Sequence, residues 1–255
     1  MKDGNNDQIP EFAKIRLFVE DELKPSARIA LNRGQAHYLR SVMRRNIDDV
    51  VRLFNGRDGE WSARILSLGG ECRLELVAPT RPQDRAQNVT LAFAPIKRSA
   101  LGYLVEKATE LGAARLKPVI TAYTQAHHLN SERLRAHAIE AAEQSFRLSV
   151  PAIDQPIALG AFLAGFTGAL LYCNERLAVG SPDAVGQLSK ARNRAGPWTV
   201  LIGPEGGFAP DEQALIASLP NVVAISLGPR IVRAETAAVM ALTLWQAVLG
   251  DLQTG

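Results

Sequence analysis

The sequence predicts an α/β protein: a C-terminal domain on a largely parallel sheet, preceded by a small β-barrel. Three observations carry this. After Val89, short apolar runs alternate with amphipathic helical patterns, as βαβ units do. Before residue 80, short alternating strands follow one another across tight turns, as in a barrel. Near the C-terminus one layout occurs twice. Trp198–Ile202 ends in Gly203-Pro204-Glu205-Gly206-Gly207, Val222–Leu227 ends in Gly228-Pro229-Arg230, and a helical pattern follows each.

The N-terminal fourteen residues are polar and do not read as a signal peptide. Ile15–Val19 alternates as a strand. A helix over roughly Gln35–Arg45 would put His37, Arg40, Ser41 and Arg44 on one face and turn Tyr38, Leu39 and Val42 inward. Strands are expected at Asp49–Phe54, Trp61–Leu68 and Cys72–Val77, joined by Asn55-Gly56-Arg57-Asp58-Gly59 and Gly69-Gly70. Pro79–Asn88 holds two prolines among polar residues and reads as the domain boundary, giving domains 1–80 and 81–255.

Beyond it, Val89–Ala94 reads as a strand. Ser99–Gly112 reads as a helix with Leu101, Leu104, Val105, Ala108 and Leu111 on its apolar stripe. Leu116–Thr121 is a strand, and Ser131 N-caps a helix to about Ser145. Further strands follow at 169–173, 198–202 and 222–227, with a polar surface excursion over 178–197. The uncharged stretch Ile157–Cys173 contains three glycines and divides into a short helix, a turn and a strand rather than a membrane span. The last helix, Thr236–Gly250, carries no charge and must be covered by more than one sheet, through a dimer interface or insertion into the core.

With 255 residues, 47% hydrophobic and 22% charged, the composition is that of a soluble protein. A net charge of +3 is compatible with an RNA partner. Cys72 and Cys173 form no ligand spacing or disulfide framework, which suits a reducing cytoplasm. No Cys or carboxylate cluster supports a metal beside His127-His128.

The Gly203–Gly207 loop is not a phosphate cradle. It lacks the Lys-Ser/Thr of a P-loop, and the next helix opens Pro210-Asp211-Glu212, carboxylates that repel an anion. A neutral or cationic ligand fits it; a plain αβ turn is the alternative. Arg230 and Arg233, with Glu235 and Thr236, enter the last helix, where two guanidiniums would attract an RNA phosphate or a negative charge developing on a base. Capping by Glu235 or Thr236 beside solvated arginines is the alternative. Lys107 and Glu110 are spaced for an ion pair, and Glu143-Gln144-Ser145 with Arg147 marks a helix end or a polar functional edge. His37, Arg40 and Arg44 are a phosphate-backbone contact or a solvated face.

Taken in order, HYLRSVMRRNIDD, LFNGRDGEW, EKATELGAARLKPVITAYTQ, EAAEQSFR, VLIGPEGGF and LGPRIVRAETAAVMAL resemble the bacterial small-subunit ribosomal RNA uridine-N3 methyltransferases (the RsmE family) of the SPOUT superfamily. The likeness covers about residues 15–250. It implies a PUA-like RNA-binding barrel, then a SPOUT domain whose C-terminal part is threaded through a trefoil knot. It implies S-adenosyl-L-methionine as cofactor, held by Leu201, Gly203, Glu205, Gly207, Leu227, Gly228, Ile231 and Ala234. Arg233 would stabilise a uridinate and Glu235 is the candidate base; His37, Arg40, Arg44 and Arg230 would meet RNA, and no metal is expected. The resemblance also implies a cytoplasmic homodimer acting on 16S ribosomal RNA or the small ribosomal subunit. Asn174-Glu175 would lie where a strand end meets the pocket. Three rivals remain: a 2′-O-ribose methyltransferase of the same superfamily, a non-catalytic RNA-binding protein, and an unrelated doubly wound nucleotide-binding enzyme.

Overall fold

The computed structural model describes residues 15–84, 88–125, 129–174, 183–194 and 196–253. The chain clusters into two compact units, residues 1–85 with 142–150, and residues 86–141 with 151–255. The first unit therefore includes a second piece of chain that a single cut at residue 80 leaves out.

In the first unit, β1 (Arg16–Phe18), β2 (Arg28–Ala30), β3 (Val50–Phe54), β4 (Glu60–Ser67) and β5 (Arg73–Arg81) form one sheet in the order β1-β3-β4-β5-β2. Only the β1–β3 pairing is parallel. Register shifts between β4 and β5 bend the sheet. All five strands deliver side chains to one core, among them Leu17, Ile29, Val51, Ile65 and Leu74. A sheet whose two edge strands share a core must curl, and this is the barrel-like shape the sequence predicts. The β3–β4 turn is set by Asn55, whose Oδ1 accepts from Arg57 N (3.0 Å) and Asp58 N (2.9 Å).

Three expectations need correction here. The strand β5 runs through Pro79 to Arg81, so the ladder continues past the start of the proline-rich linker. β2, with the short polar sequence Arg-Ile-Ala, gave no strand pattern yet pairs with β5. The basic helix is α1 (Arg33–His37), opened by an Asn32–Gln35 capping box, and it passes into a π-helical turn at Tyr38–Val42. That wider turn shifts the helical phase. Leu39 is fully buried, whereas Val42 is 58% exposed and does not face inward.

A buried ion pair ties the curled sheet to residues 142–150. Arg16 Nε donates to Glu60 Oε1 at 2.7 Å, with both side chains fully buried. Its Nη atoms donate to the carbonyls of Ala142 (2.8 Å), Glu143 (2.9 Å) and Arg147 (2.7 Å). The guanidinium also lies over the Phe54 ring, 4.4 Å from its centroid. Burial pulls the Arg16 value down. Burial would raise Glu60, but the hydrogen bond and charge of Arg16, with Thr80 and Arg52, outweigh it and hold the carboxyl below its usual range. The Glu143-Gln144-Ser145-Arg147 segment is thus a helix end with structural work: Glu143 Oε1 also accepts from Phe18 N at 2.9 Å.

The second unit is an α/β layer structure. Its main strands are β6 (Val89–Phe93), β7 (Arg115–Ile120), β10 (Ala169–Cys173), β11 (Trp198–Ile202) and β12 (Val222–Ile225); β8 (Ala152–Ile153) and β9 (Ile157–Ala158) are short additions beside β7. Every pairing is parallel, in the order β12-β10-β11-β6-β7-β8. Parallel strands covered on both faces carry continuous apolar runs, and all five residues of β11 are buried. On one face lie α4 (Leu159–Ala164) and α6 (Pro210–Ala217), packing on Ala92, Leu170, Tyr172 and Leu201. Elsewhere α2 (Arg98–Glu110), α5 (Ala184–Lys190) and α7 (Ala234–Leu249) pack together, α7 against β11. The remaining helix, α3 (Ser131–Gln144), begins one residue after its cap: Asn130 Oδ1 accepts from Arg133 N at 2.9 Å, so Asn130 and not Ser131 closes the helix start.

The predicted α2 stripe is inside at Leu101, Leu104, Val105 and Ala108. Lys107 pairs with Glu110 (2.9 Å) and also with Glu106 (2.7 Å). In α7, Gln246 is buried among apolar neighbours because Nε2 donates to Leu111 O (2.7 Å) and Oε1 accepts from Asp251 N (3.0 Å). No helix among the described residues is long and apolar enough to cross a membrane.

Candidate functional site

The two glycine loops leave the same edge of the sheet. β10 pairs in parallel with both β11 and β12, so all three strands end together. The strands feeding the loops are not neighbours: they flank β10. With parallel strands about 4.8 Å apart, the loop after β11 and the loop after β12 stand roughly 10 Å from each other. Between them lies the end of β10, Cys173 and Asn174, where Asn174 N donates to Ile225 O at 2.9 Å. Its neighbour Glu175 lies outside the described residues. Both loops thus stand at strand carboxyl ends, the side on which open α/β sheets take ligands.

The first loop is built from its sequence upward. β11 carries its chain to Gly203, where a Cβ would stand 2.7 Å from the Phe208 ring. That ring is fixed, buried and edge-on to Tyr172 with centroids 5.5 Å apart, so glycine is required. Gly207 N donates to Pro204 O at 2.9 Å and closes the turn. α6 starts at Pro210, and Glu212 is its anchor. Oε2 accepts from Ala209 N at 2.9 Å, while Oε1 accepts from Ala122 N at 2.8 Å. One carboxylate therefore satisfies a helix-start donor and clamps the loop after β7 against the loop after β11. Tyr123, half-exposed, comes to rest on Gly206. The negative helix start is thus part of the loop's construction, and no cation lies in the first turn of α6.

The second loop runs from Ser226 to Arg233. Ser226 Oγ accepts from Gly228 N at 3.2 Å. Gly228 sits at φ +101°, and an added Cβ would meet nothing within 4 Å. Its backbone therefore borders open space that a side chain would fill. Arg230 and Arg233 are both exposed. Arg233 is the N-cap residue of α7, but its side chain makes no capping bond. Glu235, in the first turn, is partly buried and makes no side-chain hydrogen bond or ion pair among the described residues, so helix capping does not occupy it.

The predicted cofactor residues fall into two groups. Gly203, Glu205 and Gly207 lie on the first loop, and Leu227 and Gly228 begin the second, facing one another across β10. Leu201 and Ala234 are buried, Leu201 fully, so each can offer only backbone. Ile231 is 91% exposed, the most exposed large apolar side chain of the described residues. Cys173 lies between the loops, partly buried, and burial pushes its thiol up to about 12, which keeps it protonated at neutral pH. The predicted RNA contacts His37, Arg40 and Arg44 are exposed in the first unit, Arg44 at φ +50° just after the π-helical turn. Sequence reading missed Glu212 as a clamp, together with Tyr123 and Phe208. The Glu three residues into a helix was a visible capping signal, but its second partner, Ala122, comes from ninety residues away.

The family model for an RNA methyltransferase domain matches residues 83–246, and that for an RNA methyltransferase PUA domain matches residues 31–76. The chain is 36% identical over 229 residues to ribosomal RNA small subunit methyltransferase E of Rickettsia conorii, covering 89% of this chain and 93% of that relative. It is 33% identical over 239 residues to the Synechocystis protein of the same name, covering 92% and 78%. A Legionella pneumophila protein solved with the cofactor SAM bound superposes with a TM-score of 0.79 at 26% identity, covering 91% of this chain and 97% of that one. The fold is also that of ribosomal RNA small subunit methyltransferase E from Neisseria gonorrhoeae, with a TM-score of 0.79 at 23% identity, covering 93% and 98%.

Proposed function

The chain belongs to the ribosomal RNA small subunit methyltransferase E family, and from that premise we propose that it transfers a methyl group from S-adenosylmethionine to N3 of a uridine in 16S ribosomal RNA. The observation that carries this reading is the pair of glycine loops flanking β10 at one sheet edge. The residues fit the cofactor. The open space beside Gly228 accepts a flat group, the clamped loop after β11 supplies fixed backbone, and the carboxylate-rich start of α6 suits a ligand that has no phosphate and carries a cationic sulfonium. The Legionella relative with SAM bound supports the same assignment. Backbone of Leu201, Gly203, Gly207, Leu227 and Gly228 would hold the adenosine, with Glu205, Ile231 and Ala234 at the rim. When bound, the cofactor supplies a methyl group on an electrophilic sulfonium.

The chain's own residues do the rest. Uridine N3 is a weak acid and must lose its proton before or during transfer. Glu235, unoccupied by capping, would accept that proton. Arg233, also free of capping duty, stabilises the charge that spreads to the uracil carbonyl oxygens. With the methyl activated on the cofactor, uridine N3 would be the nucleophile and no enzyme nucleophile would be needed, and the protonated Cys173 is consistent with that. Basic residues of the first unit, His37, Arg40 and Arg44, meet the RNA backbone, and Arg230 meets it beside the site. The C-terminal part is threaded as a trefoil knot, as the family resemblance implies. The outward side of α7 (Thr236, Thr243 and Ala247 exposed, Val239, Met240 and Leu244 partly so) is uncharged and continues to the exposed Ile231. This supports a homodimer that covers both. Family membership points to the small ribosomal subunit as partner and the cytoplasm as location.

The test is Arg233→Ala. Methyl transfer should fall by about 10²–10³-fold with cofactor affinity retained. Turnover near wild type would remove Arg233 from the chemistry, and absent heat on titration with S-adenosylmethionine would favour a non-catalytic RNA-binding protein.

A further inference from the structure

A cavity of about 420 Å³ lies between α2 and α3 in the second unit and has no part in the chemistry above. Its volume is in the range of small-molecule sites. Ile96, Leu101, Leu129 and Leu134 supply an apolar wall, and Arg98, Arg133 and His137 supply the polar one. Among the described residues no carboxylate lines it.

Among the described residues the arginines on this wall have no ion pair, unlike three other cations of the same unit. Lys107 is paired with Glu106 and Glu110, and both Arg115 and Lys117 with Asp154. Arg98 has no ion pair or side-chain hydrogen bond among the described residues. Arg133 has only a long contact, Nε to His137 Nε2 at 3.5 Å, one turn further along α3. The His137 ring is held close to the α2 backbone, since a Cβ on Gly102 would be 3.3 Å from its Nε2. Two guanidiniums and an imidazole against an apolar wall match a ligand with an anionic end and a flat or aliphatic body. A nucleotide has that form: phosphate for the arginines, ribose and base for the leucines and isoleucine.

Position selects which nucleotide. Ile96 follows β6, whose end is bonded to that of β11 through Ala94 N and Ile202 O at 2.9 Å. The strand order reverses between these two strands, the usual place for a ligand crevice. Through Ile96 the cavity borders the strand end beside the one that feeds the Gly203–Gly207 loop. We propose that it holds a nucleotide of the RNA substrate flanking the methylated one, with its phosphodiester on Arg98 and Arg133. The proposal rests on the methyltransferase reading and adds a substrate subsite to it.

The experiment measures anisotropy of a labelled single-stranded RNA of the substrate sequence against salt, with the full chain and with Arg98→Ala/Arg133→Ala. The variant should bind about tenfold more weakly, and its slope of log K against log salt should be shallower by about 0.7–1.4. Arg98→Lys/Arg133→Lys should restore the slope. Circular dichroism and the heat of S-adenosylmethionine binding should match wild type, separating a lost contact from a lost fold. Unchanged RNA affinity and slope in a folded alanine variant would overturn the proposal. So would displacement of the RNA by uridine monophosphate at the affinity of the RNA itself, which would make this a free-nucleotide site. Failure of the methyltransferase reading shows separately, as absent cofactor heat in the wild-type protein.

Discussion

Removing Arg16 should unfold the first unit far more readily than any surface change. Arg16 and Glu60 are both fully buried, and Arg16 donates to Glu60 and to three carbonyls of residues 142–147. In Arg16→Ala, Glu60 remains buried with only Arg52 (3.0 Å) and Thr80 (3.0 Å) as side-chain partners, and the three carbonyls lose their donor. Breaking a buried pair by deleting one member costs about 3–5 kcal/mol. With a denaturant slope of about 2 kcal/mol per molar urea, the midpoint should fall by about 2 M. Trp61 is buried in this unit, while Trp198 and Trp245 belong to the other. In a Trp198→Phe/Trp245→Phe background its fluorescence therefore reports the first unit alone. Arg16→Met/Glu60→Leu should recover most of the loss, because the penalty comes from the stranded charge. A loss below about 1 kcal/mol for Arg16→Ala would refute the reasoning, since that is the scale of a solvent-exposed pair.

The same pair predicts an acid limit. The folded Glu60 carboxyl titrates below its ordinary value of 4.5, so its contribution is complete above that pH and is lost as the pH falls through the folded value. Urea midpoints of the Trp61 reporter should drop below about pH 4.5, and Glu60→Gln should lack that part of the decline. Gly203→Ala places a Cβ 2.7 Å from the immobile Phe208 ring. It should displace the loop and abolish calorimetrically measured S-adenosylmethionine binding while leaving the first unit's urea transition unchanged. Glu212→Ala removes the acceptor for Ala122 N and Ala209 N. The N–H of buried Ala209, left unpaired, costs about 1–3 kcal/mol, while that of exposed Ala122 is released from the clamp into water. Cofactor affinity should fall by at least about tenfold, the equivalent of 1.4 kcal/mol; an unchanged affinity would show that the clamp does not shape the loop.

How much of this was legible in the sequence depends on the range of the interactions. Continuous apolar runs such as Trp198–Ile202 announce a strand buried on both faces, and the α2 stripe announces its own inner side, because both signals are local. The glycine loops and the carboxylates that follow them, Asp211, Glu212 and Glu235, were legible for the same reason. Strand order was not: nothing in Val222–Ile225 says that it pairs with β10 and not with β11. The π-helical turn at Tyr38–Val42 has no signature in its residues, and it alone reverses the expected burial of Val42. β2 is three residues long and polar at its start, so tertiary pairing with β5 decides it. Arg16 read as one more residue of an alternating strand. Its burial depends on Glu60 and on carbonyls more than a hundred residues away, and no local pattern encodes that. The part of the site that was missed, Glu212 across to Ala122, has the same long-range character.

The most direct test of the central claim is transfer of labelled methyl from S-adenosylmethionine to small ribosomal subunits lacking the modification, followed by digestion of the 16S RNA to nucleosides. The account predicts label in 3-methyluridine. Label in a 2′-O-methylated nucleoside, or none on RNA with the cofactor bound, would contradict it.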